Sequence, residues 1–349
     1  MKKVLLATTV LAMSATVAAA EVSLSGSARM GVAYNSEAQN ELGFSSRARV
    51  QFNLSGESDN GLAFGASFRA DNAASASTKT GNNENNIHGR NNTHNQTAGS
   101  VFVSGAFGKL SMGDVDGAAE AVTGDFHGVG FTNLGDVNEN TFLSNASDYD
   151  RTAARYDYTT AGFTFSLSAD NPANDPKLVN GAVVYPAGVS ASTGLPLDNT
   201  GNAYGVGVGY AFDGYKLGLG YETQEVGLGA AKVTVEQTVV SAEGTFGDVT
   251  VKALYGDFSG DNTAGFKGYN LDKQYGLSAA YKADALTVSG FYRVMDHVGT
   301  GDTEVKFTGI GASYDLGGGA KVMGGLVDVN APGSTADETR ADLGLSFNF

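Results

Sequence analysis

The sequence of 349 residues has no cysteine, no tryptophan and only 5 prolines. Without cysteine, no disulfide can hold the fold together, so stability must come from hydrogen bonding and packing. Basic residues are scarce too, because 22 Lys and Arg stand against 37 Asp and Glu. A net charge of −15 argues against nucleic acid as a partner, since phosphate binding needs a basic surface.

Long apolar runs are also missing. The chain begins Met1, Lys2, Lys3, continues with an apolar run over 4–13 and reaches alanines at 18–20. This pattern predicts a secretory signal peptide over residues 1–20, with the mature chain starting at Glu21. The run is too short to span a bilayer, and no later run reaches the about 20 residues of a membrane helix. We therefore expect an exported protein that is periplasmic, secreted or a membrane β-barrel.

Apolar and polar residues alternate along several segments of the chain. In residues 22–34 the apolar side chains occupy even positions, and Ser23, Ser25, Ser27 and Arg29 fall between them. The same alternation occurs in 44–54, 62–70 and 340–349. A period of two indicates a β-strand. Segments of about 9–11 residues are long for globular strands and suit tilted membrane strands.

Twelve further segments show a similar pattern, which brings the predicted number of strands to sixteen. They are 99–107, 109–115, 152–160, 162–170, 203–213, 215–225, 233–246, 248–257, 272–283, 285–296, 304–316 and 320–330. Tight turns alternate with longer polar loops at 71–98, 116–150 and 171–201, as in outer-membrane barrels. The sequence therefore predicts an all-β fold, a transmembrane antiparallel β-barrel of 16 strands over residues 21–349.

The pattern is blurred in two of these segments. In 304–316, Val305 and Phe307 share one parity, whereas Ile310 and Tyr314 share the other. Either a β-bulge near Gly309 or a misplaced boundary would explain this change of parity. The segment 233–246 is similarly blurred, and the loop 71–98 could hide a short strand.

A water-soluble β-sandwich would also alternate, so the positions of charged and aromatic residues must decide. Arg29, Arg47 and Arg49 lie on the parity opposite to the apolar one. A Lys or Arg facing lipid at mid-bilayer would cost about 2–4 kcal/mol, so this placement favours a barrel with a wet interior. Aromatic residues near strand ends predict two interfacial girdles. They are Tyr34, Phe44, Tyr210, Phe212, Tyr215, Tyr221, Tyr275, Tyr281 and Phe349.

One long loop is a candidate functional element. The segment from Leu110 to Asp150 contains no Lys or Arg. Its acidic residues are Asp114, Asp116, Glu120, Asp125, Asp136, Glu139, Asp148 and Asp150. If 116–150 folded into the lumen, carboxylates would oppose a basic wall and create a transverse field that favours polar solutes. That wall would consist of Arg29, Arg47, Arg49 and Arg69. The alternative is a solvated outer loop.

Catalytic and metal-binding signatures find little support. The histidines His88, His94, His127 and His297 show no ligand or triad spacing and are read as polar loop residues. The stretch Asp114–Gly117 admits Ca²⁺ as a bound ion, although no EF-hand or nonapeptide calcium repeat is present. We expect no other cofactor and no enzymatic activity.

Several stretches resemble the porins of purple alphaproteobacteria. They are Glu21–Val32, Phe44–Arg49, Gly61–Phe68, Val101–Lys109, Ala312–Gly319 and the terminal Phe349. The resemblance implies a trimeric general-diffusion porin whose third loop folds inward as a constriction. Carried over by position, Asp114, Asp116, Glu120 and Asp125 match the start of that loop. The basic wall opposite matches Arg29, Arg47, Arg49 and Arg69.

The family's trimer contact uses the first strands, whose outward positions here include Gly26, Ala28, Ala66 and Ala70. The loops 82–96 and 171–201 depart from the family, which leaves their contacts open. We expect an outer-membrane homotrimer, surrounded by lipid and lipopolysaccharide, that passes small polar solutes and ions with a mild cation preference. The rival readings are a substrate-specific channel with an aromatic track, a plugged barrel for adhesion or anchoring and, more distantly, an outer-membrane enzyme.

Overall fold

The computed structural model describes most of residues 21–349, and the predicted signal peptide 1–20 lies outside the described part. The described residues are 21–71, 99–144, 152–171, 177–179, 182–184, 200–228, 231–260, 271–299, 303–332 and 337–349. The loop 72–98, with its suspected short strand, His88 and His94, is not among them. Across these ranges, no helix combines the length and apolar character needed to cross a membrane.

Sixteen strands close into one antiparallel barrel. They are β1 Glu21–Asn35, β2 Leu42–Glu57, β3 Ala63–Asp71, β4 Gly99–Gly105, β5 Gly108–Gly113, β6 Thr152–Thr160, β7 Phe163–Asn171, β10 Thr200–Phe212, β11 Tyr215–Leu228, β12 Ala231–Phe246, β13 Val249–Gly260, β14 Leu271–Ala283, β15 Leu286–His297, β16 Glu304–Gly317, β17 Ala320–Asn330 and β18 Glu338–Asn348. The labels β8 and β9 belong to two short strands that lie outside the barrel. Each predicted segment corresponds to one of the sixteen barrel strands, so the predicted sixteen-stranded barrel is confirmed.

The barrel closes where its two ends meet. β1 pairs with β18 from Ser27 opposite Asn348 to Asn35 opposite Arg340. Beyond that ladder, Gly26 and Phe349 exchange two backbone hydrogen bonds of 3.2 and 2.8 Å. Closure removes sheet edges, so the N–H and C=O groups of every strand can bond to a neighbouring strand even where the outside is lipid.

The two faces of the wall differ as the alternation predicts. Outward side chains are apolar and exposed, such as Phe44 at 91% and Leu343 at 58%. On the rim of the short turns, five outward rings form a continuous row, with neighbouring centroids 4.3 to 5.6 Å apart; four of them stack and the last pair meets edge to face. They are Phe163, Tyr210, Phe212, Tyr215 and Phe246. This run matches one of the two predicted girdles.

The two blurred segments are regular strands, so the predicted bulge near Gly309 and the misplaced boundary are both wrong. β16 keeps an unbroken register with β15 from Glu304 to Tyr314. Val305 and Phe307 point inward and pack in a buried cluster, while Ile310 faces outward and is 61% exposed. Both faces of β16 are therefore apolar, because its inner face packs against other buried apolar side chains instead of facing water. β12 is equally regular against both neighbours.

A small addition to the prediction lies within the loop 171–201. Two short strands, β8 Lys177–Val179 and β9 Ala182–Val184, pair as a separate antiparallel sheet. They take no part in the barrel.

An arginine on the outer face should distinguish lipid from water there. Leu343→Arg, in the middle of β18, should lower the free energy of unfolding in lipid vesicles by about 2–4 kcal/mol. Leu316→Arg, near the short-turn end of β16, is the matched control and should cost about 0–1 kcal/mol. The wild-type exposures, 58% and 55%, are nearly equal. Equal costs for the two variants, measured by urea titration, would contradict a lipid-facing surface.

Candidate functional site

After β5 the chain turns into the barrel instead of leaving it. The helix α1, Ala118–Thr123, packs on the inner face of β10 and β11. The chain then follows the wall to a 3₁₀ turn, Asn133–Gly135, beside β17 and β18, and returns to Ser144 beside β11. The predicted inward fold of 116–150 is thus observed over 116–144. Asp148 and Asp150 lie outside the described residues.

The outgoing and returning limbs of the loop meet at one carboxylate. Glu222 of β11 is fully buried. Its Oε1 accepts the Ala119 N–H at 3.3 Å, and its Oε2 accepts the N–H groups of Leu143 and Ser144 at 2.9 and 2.8 Å. Hydrogen bonds from neutral donors to a charged acceptor are among the stronger ones. Glu222 therefore holds the two limbs together against the wall.

Other inward side chains bind the loop backbone farther along. Gln237 and Gln274 each donate to the Thr141 carbonyl at 2.7 Å, and Gln274 Oε1 accepts the Thr141 N–H at 2.9 Å. Arg293, almost fully buried, donates to the Val137 carbonyl at 3.1 Å. Because the loop has little secondary structure of its own, the wall supplies partners for its backbone.

The loop tip is fixed where the barrel closes. Asp342 of β18 accepts the Thr132 N–H at 2.7 Å and the Thr132 hydroxyl at 2.6 Å. Arg340 donates to the Leu134 carbonyl, and Arg29 of β1 donates to the Phe131 carbonyl, both at 3.1 Å. The tip is thus bonded to the first and the last strand of the barrel.

Apolar packing lies between the loop and the wall. The loop contributes six apolar side chains to one cluster: Ala119, Phe126, Val129, Leu134, Val137 and Phe142. The inner wall contributes Val239, Leu254, Phe291, Phe307, Val327 and Val329. This cluster is what covers the inner face of β16 and neighbouring strands. It explains why their sequence is apolar on both parities.

Three carboxyls of the loop interact with one another. Burial and, after it, the negative charges of the neighbouring Asp116 and Asp125 raise the pKa of Glu120 to about 8. Burial likewise raises the pKa of Glu139 to about 7, helped by Asp136 and Asp125. For Asp125, burial raises the pKa, although a hydrogen bond from the Asn140 N–H opposes the shift. Glu139 was not among the predicted site residues, yet it joins this group.

Of the remaining two predicted acids, Asp116 lies close enough to Glu120 to raise its pKa, whereas Asp114 is separated from this group. Asp116 is exposed, and its carboxylate lies 4.0 Å from Arg155 of β6. Asp114 lies beside the basic wall, in a recess of about 160 Å³ that Arg69 and Gln51 also line. The four predicted acids therefore spread from the basic wall to α1 rather than forming one site.

The predicted basic residues share the inner face of β1–β3. Arg29 and Arg47 are direct cross-strand partners, Arg49 lies two residues farther along β2, and Arg69 on β3 faces Gln51. All four side chains are partly exposed. Arg29 also donates to the loop tip and therefore lies at the junction of loop and wall.

Sequence reasoning missed the anchors themselves. Glu222, Gln237, Gln274 and Asp342 read as ordinary lumen-facing polar residues, because nothing in a strand pattern tells a wet position from one under a loop. A usable signal was the doubly apolar segment 304–316. His127, predicted as a polar loop residue, is half-buried, and its Nδ1 lies 2.8 Å from the Ser278 hydroxyl.

Neither a metal nor an aromatic track is indicated within the described ranges. No three His, Asp or Glu side chains there are grouped so as to hold a metal ion. The loop and inner-wall rings are buried in the cluster rather than lining the lumen, as for Phe126, Phe142 and Phe291. Phe102, with the Lys109 ammonium 4.6 Å from its centroid, is a partly exposed exception.

The known proteins that this chain resembles are named porins. A family profile described as Gram-negative porin matches residues 7–334. The chain is 37% identical over 341 residues to a porin of Rhodobacter capsulatus, covering 94% of this chain and 100% of that protein. It resembles a porin structure refined at 1.8 Å, with a TM-score of 0.70, 35% identity and coverage of 94% and 100%. An anion-selective porin from Comamonas acidovorans, at 18% identity, TM-score 0.64 and coverage of 95% and 100%, shares the fold.

Replacing the joining carboxylate should loosen the loop. In Glu222→Gln, the side-chain NH₂ would replace one of the two carboxylate oxygens, and the loop N–H that bonds to that oxygen would lose its acceptor. A buried N–H without an acceptor should destabilise the folded loop by about 1–3 kcal/mol. We expect faster hydrogen exchange at the amides of Ala119 or of Leu143 and Ser144. Glu243→Gln is the control, because Glu243 faces inward but pairs with Lys216 at 3.0 Å. Unchanged exchange in Glu222→Gln would refute the role of Glu222.

The raised pKa values predict a charge that changes with pH. Between pH 6 and pH 9, Glu139 and then Glu120 should lose their protons, since carboxyls ionise above their pKa values of about 7 and 8. The added negative charge should increase the preference for cations, measured as the reversal potential in a KCl gradient. Glu120→Gln should abolish the upper part of the response. A pH-independent potential would count against the raised pKa values of Glu120 and Glu139.

Proposed function

The chain belongs to the Gram-negative porin family, and from this premise we propose that it forms a water-filled channel through which small hydrophilic solutes and ions diffuse across the outer membrane. The observation that carries the proposal is the loop held flat against one side of a sixteen-stranded barrel. Its described anchors come mainly from β10–β18 and β1, and partly exposed arginines stand on β2 and β3. Such a barrel is wide enough for an aqueous lumen.

The two charged surfaces suggest how the channel selects. We propose that Asp116, Glu120, Asp125 and Glu139 form the acidic side of the constriction. Arg47, Arg49 and Arg69, with Asp114 beside them, form the basic side. A field between the two sides orients polar solutes and disfavours apolar ones. The net acidity of the chain supports a mild cation preference.

General diffusion is better supported than the rival readings. A substrate-specific channel would need a row of rings along the path, whereas the lumen-side rings named above are mostly buried under the loop. An adhesion barrel would need a plugged lumen, whereas the anchored loop lies along the wall. Diffusion requires no catalytic group and no cofactor, so Ca²⁺ is not part of this proposal.

The proposal extends to the surroundings of the channel. We infer export through a cleaved signal peptide over 1–20 and assembly as a homotrimer through the small outward residues of β1–β3, Gly26, Ala28 and Ala66 among them. Lys273 and Lys306 lie at the loop-side ends of β14 and β16, where they pair with Asp272 and Glu304. Charges at this outward rim suit the phosphate-bearing headgroups of lipopolysaccharide.

Planar-bilayer recording tests the channel and its charges together. The purified protein should give single-channel currents that rise in proportion to salt. Arg47→Gln combined with Arg49→Gln should shift the reversal potential towards greater cation preference, and Asp116→Asn should shift it the other way. Lys306→Gln, on the outer rim, is the control and should shift neither way. A protein that conducts nothing would overturn the proposed function.

A further inference from the structure

Glycines occupy inward positions of the wall at several points where the loop lies against it. Under α1 they are Gly207 on β10 and Gly218 and Gly220 on β11. Farther along the loop, Gly325 on β17 lies under the backbone of Gly130. Each takes the inward parity of its strand, so each would otherwise present a side chain to the loop.

The spacing at this seam leaves no room for a methyl group. A Cβ on Gly207 would lie 2.5 Å from the Ala118 carbonyl oxygen and 2.9 Å from Val122. On Gly220 it would lie 2.5 Å from the Ala119 Cβ and 2.6 Å from its Cα. On Gly218 it would collide with the Val122 carbonyl oxygen. The obstructing atoms belong largely to helix backbone, which cannot rotate away as a side-chain end can.

Backbone conformation does not explain these glycines. None of the three has a positive φ, so any residue could adopt their strand geometry. Glycine also weakens strand interiors, since it loses more conformational freedom on folding and packs no side chain. The reason for glycine at these positions is therefore the close approach of the helix.

We propose that Gly207, Gly218 and Gly220 set the aperture of the channel by fixing how closely α1 lies against the wall. Two wall side chains hold the helix at that depth, since Ser168 accepts the Ala118 N–H at 2.9 Å and Glu222 accepts the Ala119 N–H. The opposite side of α1 carries the exposed Ala121 and the partly exposed Glu120. Side chains in place of these three wall glycines would therefore move the exposed side of α1 farther into the lumen. The inference rests on the proposed diffusion channel and adds what determines its size limit.

A matched trio of alanine variants tests the proposal. Gly207→Ala and Gly220→Ala should displace α1 into the lumen. This displacement should lower the single-channel conductance and the molecular mass of the largest polyethylene glycol that enters the channel. Gly209→Ala is the control, on the same strand and face as Gly207. Its Cβ would meet Val122 at 3.6 Å, an ordinary contact, so its conductance and size limit should equal those of the wild type.

A second route reaches the same seam from the loop. Ala119→Val adds bulk to the fully buried face of α1 without changing the barrel, so it should also lower conductance even if a strand variant fails to fold. Wild-type conductance and size limit in all folded seam variants would overturn the proposal, and so would a rise in conductance, which would mean release of the loop. A wild type that conducts nothing would instead refute the proposed function.

Discussion

A polypeptide segment inside a barrel must find partners for its own N–H and C=O groups, and the architecture follows from this requirement. The strands solve it by closing into a cylinder, because lipid offers no hydrogen bonds. Over its described residues, 116–144, the loop has one short helix and a 3₁₀ turn, so its remaining backbone groups there depend on the wall. Glu222, Gln237, Gln274 and Asp342 supply those partners, each from an inward position of a different strand.

The same requirement makes the two halves of the inner wall chemically unlike. Under the loop the wall is glycine, buried amide and apolar side chain, as with Gly220, Gln237 and Phe307. On β2 and β3 it is cationic and partly exposed. The strand alternation is therefore only half of the pattern, because an inward residue faces water on one side of the barrel and protein on the other.

The barrel was predictable because a strict period of two survives in single strands, and no tertiary information is needed to read it. Val305 and Phe307 show where this stops. They look misregistered in sequence because their partners, the loop residues, lie more than a hundred positions away. The acidic loop was recognisable by composition, and its inward course was one of two open readings. The positions of its acids could not be read from composition, since only the fold separates Asp114, beside the basic wall, from Glu139, which lies with Glu120 and Asp125.

The attachment of the loop tip has a consequence for the order of assembly. Arg29 belongs to the first strand and Asp342 to the last, and both hold the same short stretch around Phe131 and Thr132. These bonds can coexist only when the two chain ends have met. A half-built barrel would thus lack its finished constriction. Completion of the constriction is therefore a late event of biogenesis and follows closure of the barrel.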